Sequence, residues 1–165
     1  MIEEKGSFRD PAGKIYYKDN RVFRKLSVEG VKRFQELKES DIISLSIKEG
    51  FLIGTKEIHD QVIEKSNQEL ILEHDKIPYV SYPYEWSFSQ LKDAAIFHLN
   101  FHLFLLKNNA TLIDASAYNV QFIGSELKFI DVLSIQKYKE GEYWKGHKQF
   151  CENFLNPLLL KSKKG

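Results

Sequence analysis

The sequence predicts an α+β domain, with a small β-rich amino-terminal lobe (residues 1–82) and a helical carboxyl-terminal lobe (residues 83–165). Three observations predict it. Two runs rich in β-branched and aromatic residues flank Asp19-Asn20 near the start of the chain. A long apolar-periodic segment, Ser87 to Lys107, lies just past its middle. A polar loop and a second short hairpin, Asp114 to Asp131, follow that helix.

Each element has its own local signal. Residues 1–9 are polar and are expected to fray. Asp10-Pro11-Ala12-Gly13 has turn composition. Lys14–Lys18 and Arg21–Leu26 form a β-hairpin, since Asp19 and Asn20 both tolerate the positive φ that a two-residue turn requires. Alternation puts Val22, Arg24 and Leu26 on one face, where a cation between apolar neighbours either snorkels or meets an anion. Val28, Val31, Phe34 and Leu37 fall at helical spacing behind Ser27 as N-cap, and Asp41–Lys48 suggests a second short helix capped by Ser40. Phe51–Ile53 is a strand or a packed connection, and Ile58–Glu64 is loop or helix. Glu69–Glu73 and Tyr79–Tyr82 are expected as strands around a turn at His74-Asp75-Lys76. The aromatic, proline-containing linker Tyr82–Trp86 either seals a junction or walls a cleft.

Ser87 with Gln90 makes a capping box for the long helix, and apolar residues around most of its circumference predict that it is largely buried. His98 and His102 share a face at metal-ligand spacing. The glutamate of a zinc helix is absent, so packing is the better assignment. Lys137–Gly146 is expected as loop. His147–Leu160 carries a helical stripe interrupted at Pro157, and its apolar end at Leu158-Leu159-Leu160 suggests a packing partner farther along a longer chain.

At 165 residues, with 42% hydrophobic content, the chain can bury one sizeable core. A net charge of +1 gives no general attraction to nucleic acid or to acidic membranes. A single cysteine, Cys151, fits a reducing compartment. The acidic, polar start Met1-Ile2-Glu3-Glu4-Lys5 does not resemble a signal peptide, and no apolar run is long enough to span a bilayer. The expectation is a cytoplasmic protein.

The chemistry concentrates in Asp114, Asn119 and Asp131. An Asp five positions before an Asn, with a second Asp closing the next hairpin, can converge on one point suited to a hard divalent cation. The alternative is structural, since Asx side chains also cap turns and end strands.

The order of these parts resembles the protein-kinase-like fold, including its small-molecule phosphotransferase branches. Asp114-Ala-Ser-Ala-Tyr-Asn119 is similar to the D-x4-N catalytic loop, and Phe129-Ile130-Asp131 to the entry of the metal-binding Asp. The resemblance implies Mg²⁺ and ATP as cofactors and a small molecule or saccharide as acceptor. It makes Asp114 the catalytic base and Asn119 and Asp131 the metal ligands. Arg24, or else Lys25, takes the place of the phosphate-anchoring strand lysine, with Glu36 or Glu39 as its partner. Tyr82 and Tyr84 lie in the linker that contacts adenine. The sequence departs from active kinases in lacking a glycine-rich phosphate loop, in Val132-Leu133 after Asp131, and in the short, truncated second lobe. These departures define the second reading, a catalytically inactive regulatory or docking module.

The phrases DPAGKIYYKDNRVFR, VSYPYEWSFSQLKDAA, DASAYNVQF, FIDVLS and KQFCENFLNPL resemble the amino-terminal region of larger, nodulation-protein-related bacterial proteins with a SAM-dependent methyltransferase domain farther along. That resemblance implies a fragment or a truncated relative, with a carboxyl-terminal methyltransferase domain as a candidate partner. No glycine-rich SAM loop follows a strand here, so no methyltransferase activity is expected of these residues.

Overall fold

The computed structural model describes residues 2–3, 12–58 and 70–163. Five antiparallel strands form the amino-terminal sheet in the order β1-β2-β3-β5-β4: β1 (Ile2–Glu3), β2 (Gly13–Lys18), β3 (Arg21–Leu26), β4 (Thr55–Ile58) and β5 (Ile71–His74). The β2–β3 turn is as the sequence predicts, with φ of 49° at Asp19 and 64° at Asn20. Ile2 and Glu3 pair with Tyr17 and Tyr16, so this part of the expected frayed terminus is a strand. The Asp10-Pro11 half of the expected turn and most of Ile58–Glu64 lie outside the described residues; Ile58 itself ends β4.

Between β3 and β4 run α1 (Val28–Glu39) and α2 (Ile42–Lys48). Ser27 caps α1 by accepting from the Gly30 N–H. Ser40 does not cap α2. Its hydroxyl donates to Leu37 O and closes α1, and left-handed Asp41 (φ 54°) starts α2 without a side-chain cap. A Cβ on Gly30 would stand 2.1 Å from Ala12 O, so glycine is what lets α1 lie against the start of β2.

The expected strand at Tyr79–Tyr82 does not form, and His74 belongs to β5 rather than to a turn. β5 is paired on one side with β3 and on the other with β4, which leaves no edge for a returning strand. The chain instead passes through an irregular segment and a 3₁₀ turn, Pro83–Glu85, into α3 (Phe88–Lys107). The Ser87–Gln90 capping box is present. α3 is less enclosed than its composition predicts. Leu91, Ala94, Ala95, His98, Phe101, His102 and Leu105 are buried, whereas Ile96, Leu99 and Leu103 form an exposed apolar stripe.

β6 (Ala110–Leu112) pairs with β9 (Ile135–Lys137), so Lys137 closes a strand instead of opening a loop. β7 (Val120–Ile123) and β8 (Glu126–Phe129) form the second hairpin. The carboxyl end is one continuous helical path: α4 (His147–Phe150), a π-helical turn (Cys151–Leu155) and α5 (Asn156–Ser162). Pro157 stands in the first turn of α5, directly after the π-helical turn, where a missing N–H is tolerated, and the helical path continues through it.

The two halves share one core. Leu52 bridges to Phe129, Ile53 N–H donates to Phe129 O at 2.9 Å, and Phe129 N–H donates to Phe51 O at 2.8 Å. Phe51 packs its ring on Phe97, Phe101 and Phe104 of α3. The segment after α2 is therefore a packed connection that fixes the sheet over the β7–β8 hairpin.

Candidate functional site

Asp131 is the electrostatic centre of the region. It follows β8 and caps the 3₁₀ turn Val132–Ser134, accepting from Leu133 N–H at 3.2 Å. Arg24 Nη1 donates to its Oδ1 at 2.5 Å, and Ser134 Oγ donates to its Oδ2 at 2.5 Å. The Arg24 side chain is 5% exposed and the Asp131 side chain 24%. Arg24 therefore does not snorkel. It reaches from the sheet to the turn after β8 and meets an anion there. Burial alone would push the Asp131 carboxyl up. The Arg24 charge and the three hydrogen bonds outweigh it and hold the group ionised below the usual carboxylate range.

Ser134 connects the rest. Asn119 Nδ2 donates to Ser134 Oγ at 3.5 Å, Ile130 N–H donates to Asn119 O at 2.9 Å, and Ile113 N–H donates to Ser134 O at 2.8 Å. Asn119 and Asp131 thus share a hydroxyl, and the Asp114 loop is tied to the same turn through its preceding residue. The Asp114 carboxylate itself accepts from Ser116 N–H at 2.7 Å, an Asx turn within its own loop. So the structure links Asn119 and Asp131 through Ser134 and ties Ile113 to the same turn, while the Asp114 carboxylate is engaged within its own loop.

The Asp114–Asn119 loop is braced from the carboxyl-terminal helix. Gln149 Oε1 accepts from Ala115 N–H at 2.8 Å and Asn153 Oδ1 from Ala117 N–H at 3.2 Å. Sequence reasoning missed both, although two amides four apart beside an apolar stripe were a visible signal. Under the loop, His98 is fully buried among Phe129, Trp144, Phe150 and Phe154. His102 packs 4.4 Å from Trp144 and hydrogen-bonds Thr111 Oγ1 at 2.9 Å. Burial first, and for His98 also the neighbouring His102, lower both imidazoles to about 4, so they are neutral packing histidines.

The cofactor-side residues are arranged differently from the expectation. Glu36 is exposed on α1, as is Glu39, and among the described residues Arg24 pairs with Asp131 and not with Glu36. What α1 gives the site is Arg33, which donates to Leu133 O at 2.9 Å and holds the turn beside Asp131. Tyr82 and Tyr84 are exposed and stacked, with centroids 5.5 Å apart and planes 3° from parallel, and Tyr118 of the catalytic-type loop lies 6.3 Å from Tyr82. Tyr82 N–H is bound to Glu85 and Tyr82 O accepts from Glu85 N–H, so these tyrosines can offer a ligand their rings. The linker is anchored by Gln121, which is buried and pairs with both Ser81 N–H and Ser81 O at 3.0 Å.

Among the described residues no cluster of three His, Cys, Asp or Glu side chains could hold a metal alone. The Asp131 carboxylate and the Asn119 amide carry oxygens of the kind Mg²⁺ takes, and both Asp131 oxygens are engaged by Arg24 and Ser134. Among those residues, no helix is long and apolar enough to cross a membrane.

No protein-family model matches the chain. The nodulation protein NoeA of Rhizobium meliloti (strain 1021) is 42% identical over 159 residues, which span 95% of this chain and 33% of that protein. The chain thus spans about a third of the length of this curated relative. The crystal structure of WbdD superposes with a TM-score of 0.56 at 12% identity, over 96% of this chain and 37% of that one. At that identity the likeness concerns the fold alone: a mixed α+β unit with a small sheet ahead of its helices.

Proposed function

We propose that this chain is a kinase-like domain that binds Mg-ATP and transfers its terminal phosphoryl group to a small molecule or saccharide. The observation that carries the proposal is the Arg24–Asp131–Ser134–Asn119 chain of contacts, which joins a sheet cation to the Asp131 carboxylate and, through the Ser134 hydroxyl, to the Asn119 amide. In this reading Arg24 anchors phosphate, Asp131 and Asn119 hold Mg²⁺, and Asp114 turns out of its Asx turn to accept the proton of the acceptor hydroxyl. The metal supplies charge neutralisation of the phosphates. Arg24, a rigid two-pronged donor, suits a phosphate oxygen pair as well as it suits the carboxylate it now holds. The fold shared with WbdD and the kinase-like order of elements support the reading. The NoeA match supports a place in a longer protein, where a methyltransferase domain is the proposed companion.

One observation favours a second reading, a nucleotide-sensing module without catalysis. Both Asp131 oxygens are already engaged, and the tight β2–β3 turn is Asp19-Asn20, with no glycine-rich loop. Isothermal titration with Mg²⁺ and ATP tests both. Binding that Asp131→Ala abolishes, with phosphoryl transfer or hydrolysis that Asp114→Asn removes, establishes the enzyme. Binding without turnover establishes the module, and no heat at all defeats both.

A further inference from the structure

A cavity of about 120 Å³ opens where α3, β6 and β9 meet the segment 138–146. His102 and Thr111, both buried, line its inner end and hydrogen-bond each other at 2.9 Å. Its outer wall is pinned by three bonds. Tyr138 N–H donates to Asn109 O at 2.9 Å, and Trp144 Nε1 donates to Leu112 O at 2.8 Å. Between them Glu142 N–H donates to Lys139 O at 3.1 Å, across a turn that left-handed Gly141 (φ 83°) makes possible. Trp144 is half-buried with its ring 4.4 Å from that of His102, and next to it Tyr143 is held 96% exposed. Tyr138 is the third aromatic ring of the wall. Gln136, Glu142 and Lys145 supply polar lining, and their side chains make no hydrogen bond or ion pair among the described residues. Aromatic walls with a few convergent polar groups, already in place, are what a small-molecule site is made of.

We propose that this cavity binds one sugar ring of a saccharide, stacked on Trp144 and Tyr143 and hydrogen-bonded by Gln136, Glu142 and Lys145. A pyranose has a face of C–H groups and a rim of hydroxyls. The C–H face suits the negative face of an aromatic ring. The hydroxyls, each a donor and an acceptor, suit a carboxamide, a carboxylate and an ammonium set side by side. Glu142 and Lys145 cancel in charge, which favours a neutral ligand over a phosphate-bearing one. The space, equal to that of about four waters, admits a sugar ring and is too small for a nucleotide. Ile113 lines the cavity and directly precedes Asp114, so the bound sugar lies beside the start of the Asp114–Asn119 loop. The inference deepens the reading above by taking the saccharide among its acceptors. Sugar binding here needs neither metal nor nucleotide, so either idea can fail without the other.

The test is titration of the ¹⁵N-labelled whole chain, without metal or nucleotide, with the methyl glycosides of glucose, galactose, mannose and N-acetylglucosamine. The chain has two tryptophans, so two indole N–H signals report. Trp144 lines the cavity, whereas Trp86 is buried elsewhere and donates to Ser81 Oγ at 3.0 Å, which makes it an internal reference. At least one glycoside is expected to shift the Trp144 signal saturably while Trp86 stays in place, and glycerol at equal concentration should shift neither. Tyr143→Ala, at a fully solvated ring, and Gln136→Ala should each weaken that binding about three- to tenfold. Thermal melts confirm that both variants are folded. No shift with any of the four glycosides overturns the site. So does an equal shift of both indoles, or binding that is undiminished in both variants. The Mg-ATP titration described above is decided separately, so a chain that binds nucleotide but no sugar loses only this inference.

Discussion

Asp131 and Asp114 are both aspartates at the ends of short elements, yet their surroundings give them different weights. Asp131 pairs with the buried Arg24 guanidinium of the sheet, and the Asp114 carboxylate accepts from a turn N–H in its own loop. Removing one partner of a buried pair leaves the other charge poorly compensated, whereas a local turn bond contributes about as much as any single hydrogen bond. Asp131→Asn should therefore lower stability by about 3 kcal/mol, and Asp114→Asn by less than about 1 kcal/mol, as read from urea denaturation. Equal losses in the two variants would show that the Arg24–Asp131 pair contributes no more than a local turn bond. The same contrast explains what was legible. Asp114, Asn119 and Asp131 stood out because polar residues with apolar flanks are visible in one dimension. Ser134 did not, because a lone serine carries no such signal until the fold brings Asn119, 15 positions away, onto its hydroxyl.

At the scale of elements, the carboxyl-terminal helix acts as a brace for the loop that carries Asp114. Gln149 and Asn153 reach two loop N–H groups, and Gly146 lets the chain pass close to the Trp144 ring and Ala115. Gln149→Ala leaves the Ala115 N–H without its acceptor, at a cost of about 1–2 kcal/mol, and should speed amide exchange across residues 114–119. A Cβ at position 146 would sit 2.7 Å from Trp144 Nε1 and 3.0 Å from the Ala115 Cβ. Gly146→Ala should thus cost about 1–3 kcal/mol and disturb the loop first, seen as chemical-shift changes centred on residues 112–119. Unchanged exchange at the loop in both variants would show that the helix merely packs nearby. The π turn before Pro157 belongs at this scale too. The proline was legible as an interruption, and the way the helix passes over it was not.

For the whole molecule, the buried titratable groups push stability in one direction. His74, His98 and His102 are held near 4, against an ordinary 6.5, mainly by burial. Between those values the unfolded chain binds protons that the folded chain refuses, so stability falls as pH drops from 6.5 toward 4. Glu73 extends the loss. Its hydrogen bond from Arg21, a two-point contact at 2.7 and 2.8 Å, is the chief reason that it sits near 2 rather than 4.5. Stability from Glu73 is complete above 4.5 and is lost as pH falls toward 2. The urea midpoint should decline steadily below pH 6.5, with a loss on the order of 2 kcal/mol for each buried imidazole by pH 4. His98→Phe, which keeps the aromatic packing, should flatten the upper part of that decline. A midpoint that stays level down to pH 4 would mean that the imidazoles are not held neutral.

By itself the sequence determined what is local. The Asp19-Asn20 turn, the Ser27 and Ser87 caps, the long helix, and the Asp114, Asn119, Asp131 spacing all follow from residues a few positions apart, where torsional preference and periodicity act directly. Tertiary structure decided what depends on partners. It placed β5 between β3 and β4, so that Tyr79–Tyr82 could not pair, and it left Glu36 in solvent. It gave Arg24 a partner 107 residues away, in Asp131. The reason is that a hydrogen-bonding edge or a buried charge is satisfied by whatever the fold brings within about 3 Å, and sequence distance carries no record of that.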